Sequence, residues 1–347
     1  AGYQDCYIDT DDLTNTQCKQ QEILAGFDGS ATQRSLLQFD LSGIPSDSVI
    51  QNAELGIDLD GQSSGNSSPM GIYPVTTAWN SQATWQSSDG TQPWGTPGGD
   101  FSATPAAVNP SVGSGGTGWY HWWPTQLVQG WVNGSATNRG VLLKETSENI
   151  NDVFHFYSGE DASSSNWPYL TVKWDTPTGL QPWYPFYDLQ LTDTMDLHVN
   201  LATGNLVLHN NDFAMPGIGL PLSEDRYYNN RSYYGYADGN GWNRVLGNEV
   251  GLYLFNDGSA EFFGPTGEAT PLIHNPDGTF QPPPGIDAQL VHNQDGTYTL
   301  TLNQSGVKYT MFANGYLRSI QDRSGNQLTQ DFSGSTVSQV TDTQGRV

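Results

Sequence analysis

Asp-Gly and Asn-Gly pairs recur through the last third of this chain at intervals of 18 to 20 residues, and this recurrence constrains the fold more than any other feature. The pairs are Asp257-Gly258, Asp277-Gly278, Asp295-Gly296 and Asn314-Gly315. A two-residue hairpin turn selects such pairs, because both of its central residues need positive φ. Between them run alternating segments such as Tyr298-Thr299-Leu300-Thr301-Leu302, the period of a half-buried strand. The tail repeats as well, with Asp322 to Asp342 and Gly325 to Gly345 each 20 residues apart. A fixed period of this size predicts an extended β array in which each hairpin is capped by its neighbour. Such an array builds a wall or scaffold rather than a catalytic pocket.

The chain of 347 residues is long enough for about two domains, each with its own core. Charged residues make up only 14%, while Gly, Ser, Thr, Asn and aromatics abound, the profile of an extracellular all-β protein rich in turns. A net charge of −24 with 12 basic residues argues against nucleic acid and anionic membranes, which need Lys/Arg clusters. No stretch approaches the roughly 18 apolar residues of a membrane span. Cys6 and Cys18 flank an Asp-rich loop and, without a second Cys or His pair, make a poor zinc site. They are expected to form a disulfide, which places the protein in an oxidising compartment, secreted or at the cell surface.

The first domain is expected over residues 1–175. Its strand candidates are Ser35–Phe39, Ala53–Leu59, Met70–Val75, Gly140–Lys144, Val153–Tyr157 and Tyr169–Trp174, with one short helix over Pro124–Val132. Gln86–Gly118 reads as a long loop. Strands at this spacing predict a jelly-roll-like β-sandwich. This half resembles the DNRLRE family of secreted domains. The resemblance rests on Arg34-Ser35-Leu36-Leu37-Gln38-Phe39-Asp40-Leu41, Ala53-Glu54-Leu55, Ile72-Tyr73-Pro74-Val75 and Trp79. It continues through Pro97-Gly98-Gly99-Asp100-Phe101, Gln129-Gly130-Trp131 and Pro168-Tyr169-Leu170-Thr171-Val172. It implies a β-sandwich appended to secreted or wall-attached proteins, with glycan binding in some relatives, and it does not imply catalysis.

Residues 176–190 carry Pro177, Gly179, Pro182 and Pro185 and read as an extended linker. The region 191–347 opens with Asp196-Leu197-His198-Val199-Asn200-Leu201-Ala202-Thr203-Gly204-Asn205-Leu206. Gly219-Leu220-Pro221-Leu222, Arg226-Tyr227-Tyr228-Asn229 and Gly239-Asn240-Gly241-Trp242 follow, and then the repeats. In this order the segments resemble the entry region of the Rhs/YD-repeat family, which includes wall-associated proteins, toxin-delivery proteins and teneurins. The resemblance implies a spiralling β-sheet. The self-cleaving aspartates and toxin domain of that family have no counterpart here, so those roles do not carry over.

Few motifs point to chemistry. Gly61-Gln62-Ser63-Ser64-Gly65 has the letters of a nucleophile elbow, but Asn66-Ser67-Ser68-Pro69 follows where a helix is required. Asp58 and Asp60 share a strand face, as a glycosidase pair could, although acidic pairs are common in so acidic a chain. The six histidines stand singly. Asp9, Asp11, Asp12 and Asn15 gather oxygen ligands inside the cysteine loop and form a candidate structural calcium site, without the fixed offsets of an EF-hand. Trp119-Tyr120-His121-Trp122-Trp123 is the densest aromatic run. Trp119, Tyr120, Trp122 and Trp123 are therefore candidate glycan-stacking residues, against the alternative that alternate members fill the core.

The sequence thus predicts a non-catalytic extracellular or cell-surface structural and attachment protein, with cell-wall or other extracellular polysaccharide as its partner and no certain cofactor. A carbohydrate-binding module is one alternative, and the front part of a larger Rhs-type toxin-delivery or wall-associated protein is another. No charge lies between Phe332 and Thr341, so the strand expected at Thr336–Thr341 offers an unprotected edge through which copies could pair into a filament.

Overall fold

The computed structural model describes residues 2–232, 234–236, 238–275, 277–283 and 285–347. It is an all-β protein that divides into two compact units, Ala1–Trp174 and Asp175–Val347.

The first unit begins with β1 (Tyr3–Asp9), β2 (Glu22–Phe27), β3 (Thr32–Phe39) and the long β4 (Val49–Gln62). Next come β5 (Ser68–Pro74), β6 (Ala107–Val112), β7 (Gly118–Trp122) and the helix α1 (Thr125–Val132). It ends with β8 (Val141–Glu145), β9 (Asp152–Tyr157) and β10 (Tyr169–Asp175). The strands join in one sheet in the order β10-β4-β9-β2-β3-β8-β5-β6, with β1 on β3 and β7 on β4. The sheet folds back on itself, so that β2, β3, β4, β5, β7, β8 and β9 all feed one core of residues such as Ile23, Leu37, Ile57, Met70, Trp122, Leu143 and Phe154. From Ala53 to Asp60 β4 follows a period of two: Ala53, Leu55, Ile57 and Leu59 are buried, Glu54, Asp58 and Asp60 face outward, and Gly56 is the buried exception on the outward side.

Of the predicted segments, α1 buries Val128 and Val132 against Ile50 and Ala53. Its Thr125 hydroxyl accepts the Ala53 N–H (3.1 Å) and its Gln129 amide oxygen accepts the Ile50 N–H (2.8 Å). The Gln86–Gly118 region is not all loop. It contains β6, where Val108 and Pro110 take the exposed positions and Asn109 and Ser111 the half-buried ones, so the hydrophobic pattern that marks a strand is missing although the burial alternates.

In the second unit, β11 (Phe186–Gln190), β12 (Met195–Asn200), β13 (Leu206–Met215) and β14 (Leu222–Asn229) form an antiparallel meander. A two-residue pair, β15 (Gly235–Tyr236) and β16 (Gly239–Asn240), precedes β17 (Trp242–Arg244), which completes that sheet on β14. A four-stranded sheet follows: β18 (Gly251–Leu254), β19 (Ala260–Phe263), β20 (Ala269–His274) and β21 (Phe280–Gln281). The last sheet runs in chain order through β22 (Ala288–His292), β23 (Tyr298–Leu302), β24 (Val307–Met311), β25 (Leu317–Gln321), β26 (Gln327–Ser333) and β27 (Thr336–Thr341). These two sheets share a core that includes Val250, Phe262, Leu272, Leu300, Met311 and Leu317.

Residues 176–190, expected as an extended linker, are hydrogen-bonded within the second unit. The Thr178 hydroxyl donates to the Gly267 carbonyl (2.7 Å), the Gly179 N–H to the Asn229 side chain (2.7 Å) and the Leu180 N–H to Thr266 Oγ1 (2.8 Å). Prolines make a segment extended, but its remaining polar groups still decide whether it docks. Here the Gly179 N–H meets buried Asn229, which also accepts from Asn205 (2.9 Å) and donates to the Thr266 carbonyl (2.9 Å).

The repeated turns fall where the Gly pairs predict, with a different geometry. In each, the Gly N–H bonds the carbonyl three residues back, as Gly258 does to Phe255 (3.0 Å) and Gly296 to Asn293 (3.0 Å). A closing bond then runs from the first residue's N–H to the residue after the Gly, as Phe255 to Ser259 (2.8 Å). Only the Gly has positive φ (85° at Gly258, 84° at Gly296), and among the described residues Glu148 is the one non-glycine that does. These are three-residue loops with glycine in the bulge position rather than two-residue turns. The aspartate keeps ordinary φ and uses its carboxylate instead: Asp277 accepts the N–H (2.9 Å) and hydroxyl (2.6 Å) of Thr279, and Asp295 does the same for Thr297.

Candidate functional site

The aromatic run becomes β7, antiparallel to β4 with Asp58 opposite Trp119, Gly56 opposite His121 and Leu55 opposite Trp122. Alternation then sorts it. Trp122 points inward, is 0% exposed and donates its indole N–H to the Met70 carbonyl (2.9 Å). Tyr120 packs against the same core, and its hydroxyl donates to the Gly116 carbonyl (2.8 Å). The Trp122 ring therefore presents no free face to a sugar, which corrects the expectation for it, while Tyr120 is half-buried. Trp119 points outward and is 38% exposed.

The outward side gains a partner that the sequence did not single out. Tyr169 of β10 lies over Gly56, where a Cβ would fall 2.4 Å from the tyrosine ring, so only glycine leaves room for it. Trp119 and Tyr169 have ring centroids 5.0 Å apart, Tyr169 and His121 6.5 Å, and His121 and Trp123 6.2 Å. Four rings therefore make one row on the outer face of the first unit. Carboxylates support it. Glu54 accepts from the Tyr169 hydroxyl (2.9 Å) and pairs with His121 Nδ1 (2.9 Å), and Asp60 accepts from the Tyr157 hydroxyl (2.5 Å). Burial and then the Glu54 carboxylate push the Tyr169 hydroxyl up to about 12. Burial, with Asp60 adding to it, raises the Asp58 carboxyl. In this arrangement the row presents apolar ring faces beside hydrogen-bond acceptors, a pattern suited to a polyhydroxylated ligand with C–H faces.

Of the residues in this row and beneath it, sequence reasoning singled out Trp119 and Trp123 as candidates and not Glu54, His121 or Tyr169. The available signal was Gly56, a glycine inside an otherwise strict strand. The other histidines are likewise not isolated: His155 meets Glu22 (2.8 Å), His198 meets Asp188 (2.7 Å), and His209 lies between Asp225 (2.9 Å) and Asp196 (3.5 Å).

The remaining candidates take structural places. Cys6 and Cys18 are joined in a disulfide. Asp9 accepts the Asp11 N–H (2.8 Å), while Asp12 accepts from the backbone (3.2 Å) and side chain (2.9 Å) of Asn15 and from Gln17 (3.1 Å). The N–H donors that occupy these carboxylates are turn chemistry, and among the described residues no three His, Cys, Asp or Glu groups converge on a metal position. The calcium expectation for Asp9, Asp11, Asp12 and Asn15 thus gains no metal-ligand cluster among the described residues. The Ser63 hydroxyl donates to buried Asp152 (2.9 Å) and accepts the Val153 N–H (2.9 Å), so the elbow-like letters form a loop organised by that carboxylate. Arg34 is committed to Glu148 through Nε (2.6 Å) and Nη2 (2.9 Å), and to the Gly98 carbonyl through Nη1 (2.7 Å).

Comparison with known families divides the chain in the same way. Residues 10–172 match the model of a Disaggregatase related repeat domain, and residues 197–271 match that of a domain of unknown function, DUF6531. No curated protein matches the chain. The first unit is thus similar to a repeat domain and the second to an uncharacterised one, which suits a repeat-built structural or surface protein.

Proposed function

We propose that this chain is a non-catalytic, secreted or cell-surface attachment protein. Its DNRLRE-like first unit adheres to extracellular polysaccharide through the row Trp119, Tyr169, His121 and Trp123, and its Rhs-like second unit is a structural β element. The observation that carries this reading is the row itself: four outward rings in sequence, with Glu54 hydrogen-bonded beneath them. Sugar C–H faces stack on such rings while hydroxyls reach the flanking carboxylates. The disulfide and the scarcity of charge favour an oxidising, extracellular setting. The commitment of Ser63 to Asp152 favours binding over ester or peptide hydrolysis.

Affinity electrophoresis against a panel of neutral and acidic wall polysaccharides tests it. At least one should retard the protein, and Trp119→Ala and Tyr169→Ala should each reduce retardation about ten-fold with unchanged melting. Retardation unaltered in both variants would refute the assignment. Release of new sugar ends that disappears in Glu54→Gln or Asp58→Asn would make the protein an enzyme instead.

The second unit adds self-association to this proposal. Strand β27 pairs with β26 along one edge only among the described residues, and where no further chain covers its other, uncharged edge, that edge is a template for strand addition. Sedimentation should show oligomers that Thr336→Lys with Gln339→Lys reverts to monomer; a wild-type monomer at all concentrations overturns it. The alternative of a larger Rhs-type toxin-delivery or wall-associated protein draws on the turn period of the last sheet, and the length of the natural reading frame decides it.

A further inference from the structure

The second unit contains a cavity of about 370 Å³, within the range of small-molecule sites. Trp183, Phe262 and Tyr309 contribute aromatic walls, Leu300 an aliphatic one, and Glu268 and Asp287 the charge. Phe262 and Tyr309 are buried with ring centroids 5.1 Å apart, while Trp183 is 44% exposed and edges the cavity toward solvent. No Lys, Arg or His lines it. The Glu268 carboxylate accepts the Thr266 N–H (2.9 Å) and hydroxyl (2.5 Å), both neutral donors. Asp287 accepts the Asn303 amide (2.6 Å), also neutral.

Two acidic groups therefore line a largely aromatic space with no basic residue to balance them. We propose that this cavity binds a small organic cation with an apolar body, such as a quaternary or primary alkylammonium. The negative faces of the three rings attract a cation that water hydrates weakly, and Glu268 supplies the counter-charge. Burial raises the Glu268 carboxyl against the lowering effect of its Thr266 hydrogen bonds, and a cation in the cavity would lower it further. An anionic or neutral polar ligand gains neither term. The net charge of −24 also draws cations toward the whole surface.

The test uses the full chain with choline and its uncharged carbon isostere, 3,3-dimethylbutan-1-ol, followed by calorimetry and ligand-observed NMR. Choline should bind at least ten-fold more tightly than the isostere. Trp183→Ala, a change at an exposed ring, and Glu268→Gln, which keeps the acceptor for Thr266, should each weaken choline about ten-fold. Trp167→Ala, an exposed tryptophan of the first unit, should leave binding unchanged. Equal binding of choline and its isostere would reduce the site to a hydrophobic cavity and overturn the proposal. So would absence of choline binding, or choline binding insensitive to Trp183→Ala.

Discussion

Replacing Trp122 by alanine should unfold the first unit's core, whereas the same change at Trp119, three residues away, should not. A buried aromatic of this kind removes about 150–250 Å² from water, which at about 25 cal/mol/Å² corresponds to roughly 4–6 kcal/mol of transfer. Alanine retains part of that, and truncations of buried aromatics cost about 3–5 kcal/mol. Trp122 is 0% exposed and its N–H satisfies the Met70 carbonyl inside the core, which adds about 1 kcal/mol when that acceptor is orphaned. The expected loss is about 4–6 kcal/mol, comparable to the whole stability of a marginal domain. Trp119→Ala should cost under about 1 kcal/mol, as exposed substitutions do. Trp122→Phe, which keeps most of the volume and loses the donor, should fall between, at about 1–3 kcal/mol. Urea unfolding of the full chain, with hydrogen exchange followed separately at β4 and β7 and at β22–β25, assigns the loss to one unit. A Trp122→Ala protein within 1 kcal/mol of wild type, or one that stays folded but loses polysaccharide retention, would show that Trp122 is a ligand-facing ring.

Reduction of Cys6–Cys18 should lower first-unit stability by about 3 kcal/mol, the loop-closure value for a bridge spanning 12 positions, measured as a urea midpoint with and without reductant. Acid below about pH 4 should destabilise the second unit, once the raised carboxyls of Glu224 and Glu249, which favour the folded form as they protonate, are already neutral. Hydrogen bonds to Thr279, Thr297 and Asn326 hold the Asp277, Asp295 and Asp322 carboxyls below their usual range, so their contribution is present above the unfolded value of about 4 and lost as pH falls through the lowered folded values. A melting midpoint that stays flat between about pH 5 and pH 2 would refute that. Gly296→Ala should cost about 1–2 kcal/mol for the left-handed backbone alone. Gly315→Ala should cost clearly more by thermal melting, because its Cβ would lie 2.0 Å from the Leu252 carbonyl oxygen.

That last pair shows how far the sequence could be read. Gly296 and Gly315 occupy equivalent turns with φ of 84° and 88°, and their shared Asx-Gly letters locate both correctly. Local chemistry fixes where the chain turns because the conformational preference belongs to the residue itself. It did not fix the turn type: a two-residue turn needs two positive φ values, and the aspartate gained more by bonding the following Ser or Thr. Nor could it show that Gly315 alone approaches Leu252, since that contact joins strands of different sheets. The aromatic row was legible to the same extent. Alternation through Trp119–Trp122 divides the run into two sets, but only the register against β4 decides which set is inward. Tyr169 and Glu54 are 115 positions apart and meet because Gly56 leaves a tyrosine-sized space between them. A strand-borne glycine is the trace such a long-range contact leaves in one sequence, and Gly56→Ala should expel Tyr169 from the row while β4 keeps its pairing. Loss of polysaccharide retention with an unchanged melting profile would be the signature of that displacement; full retention would mean that the row does not form the site.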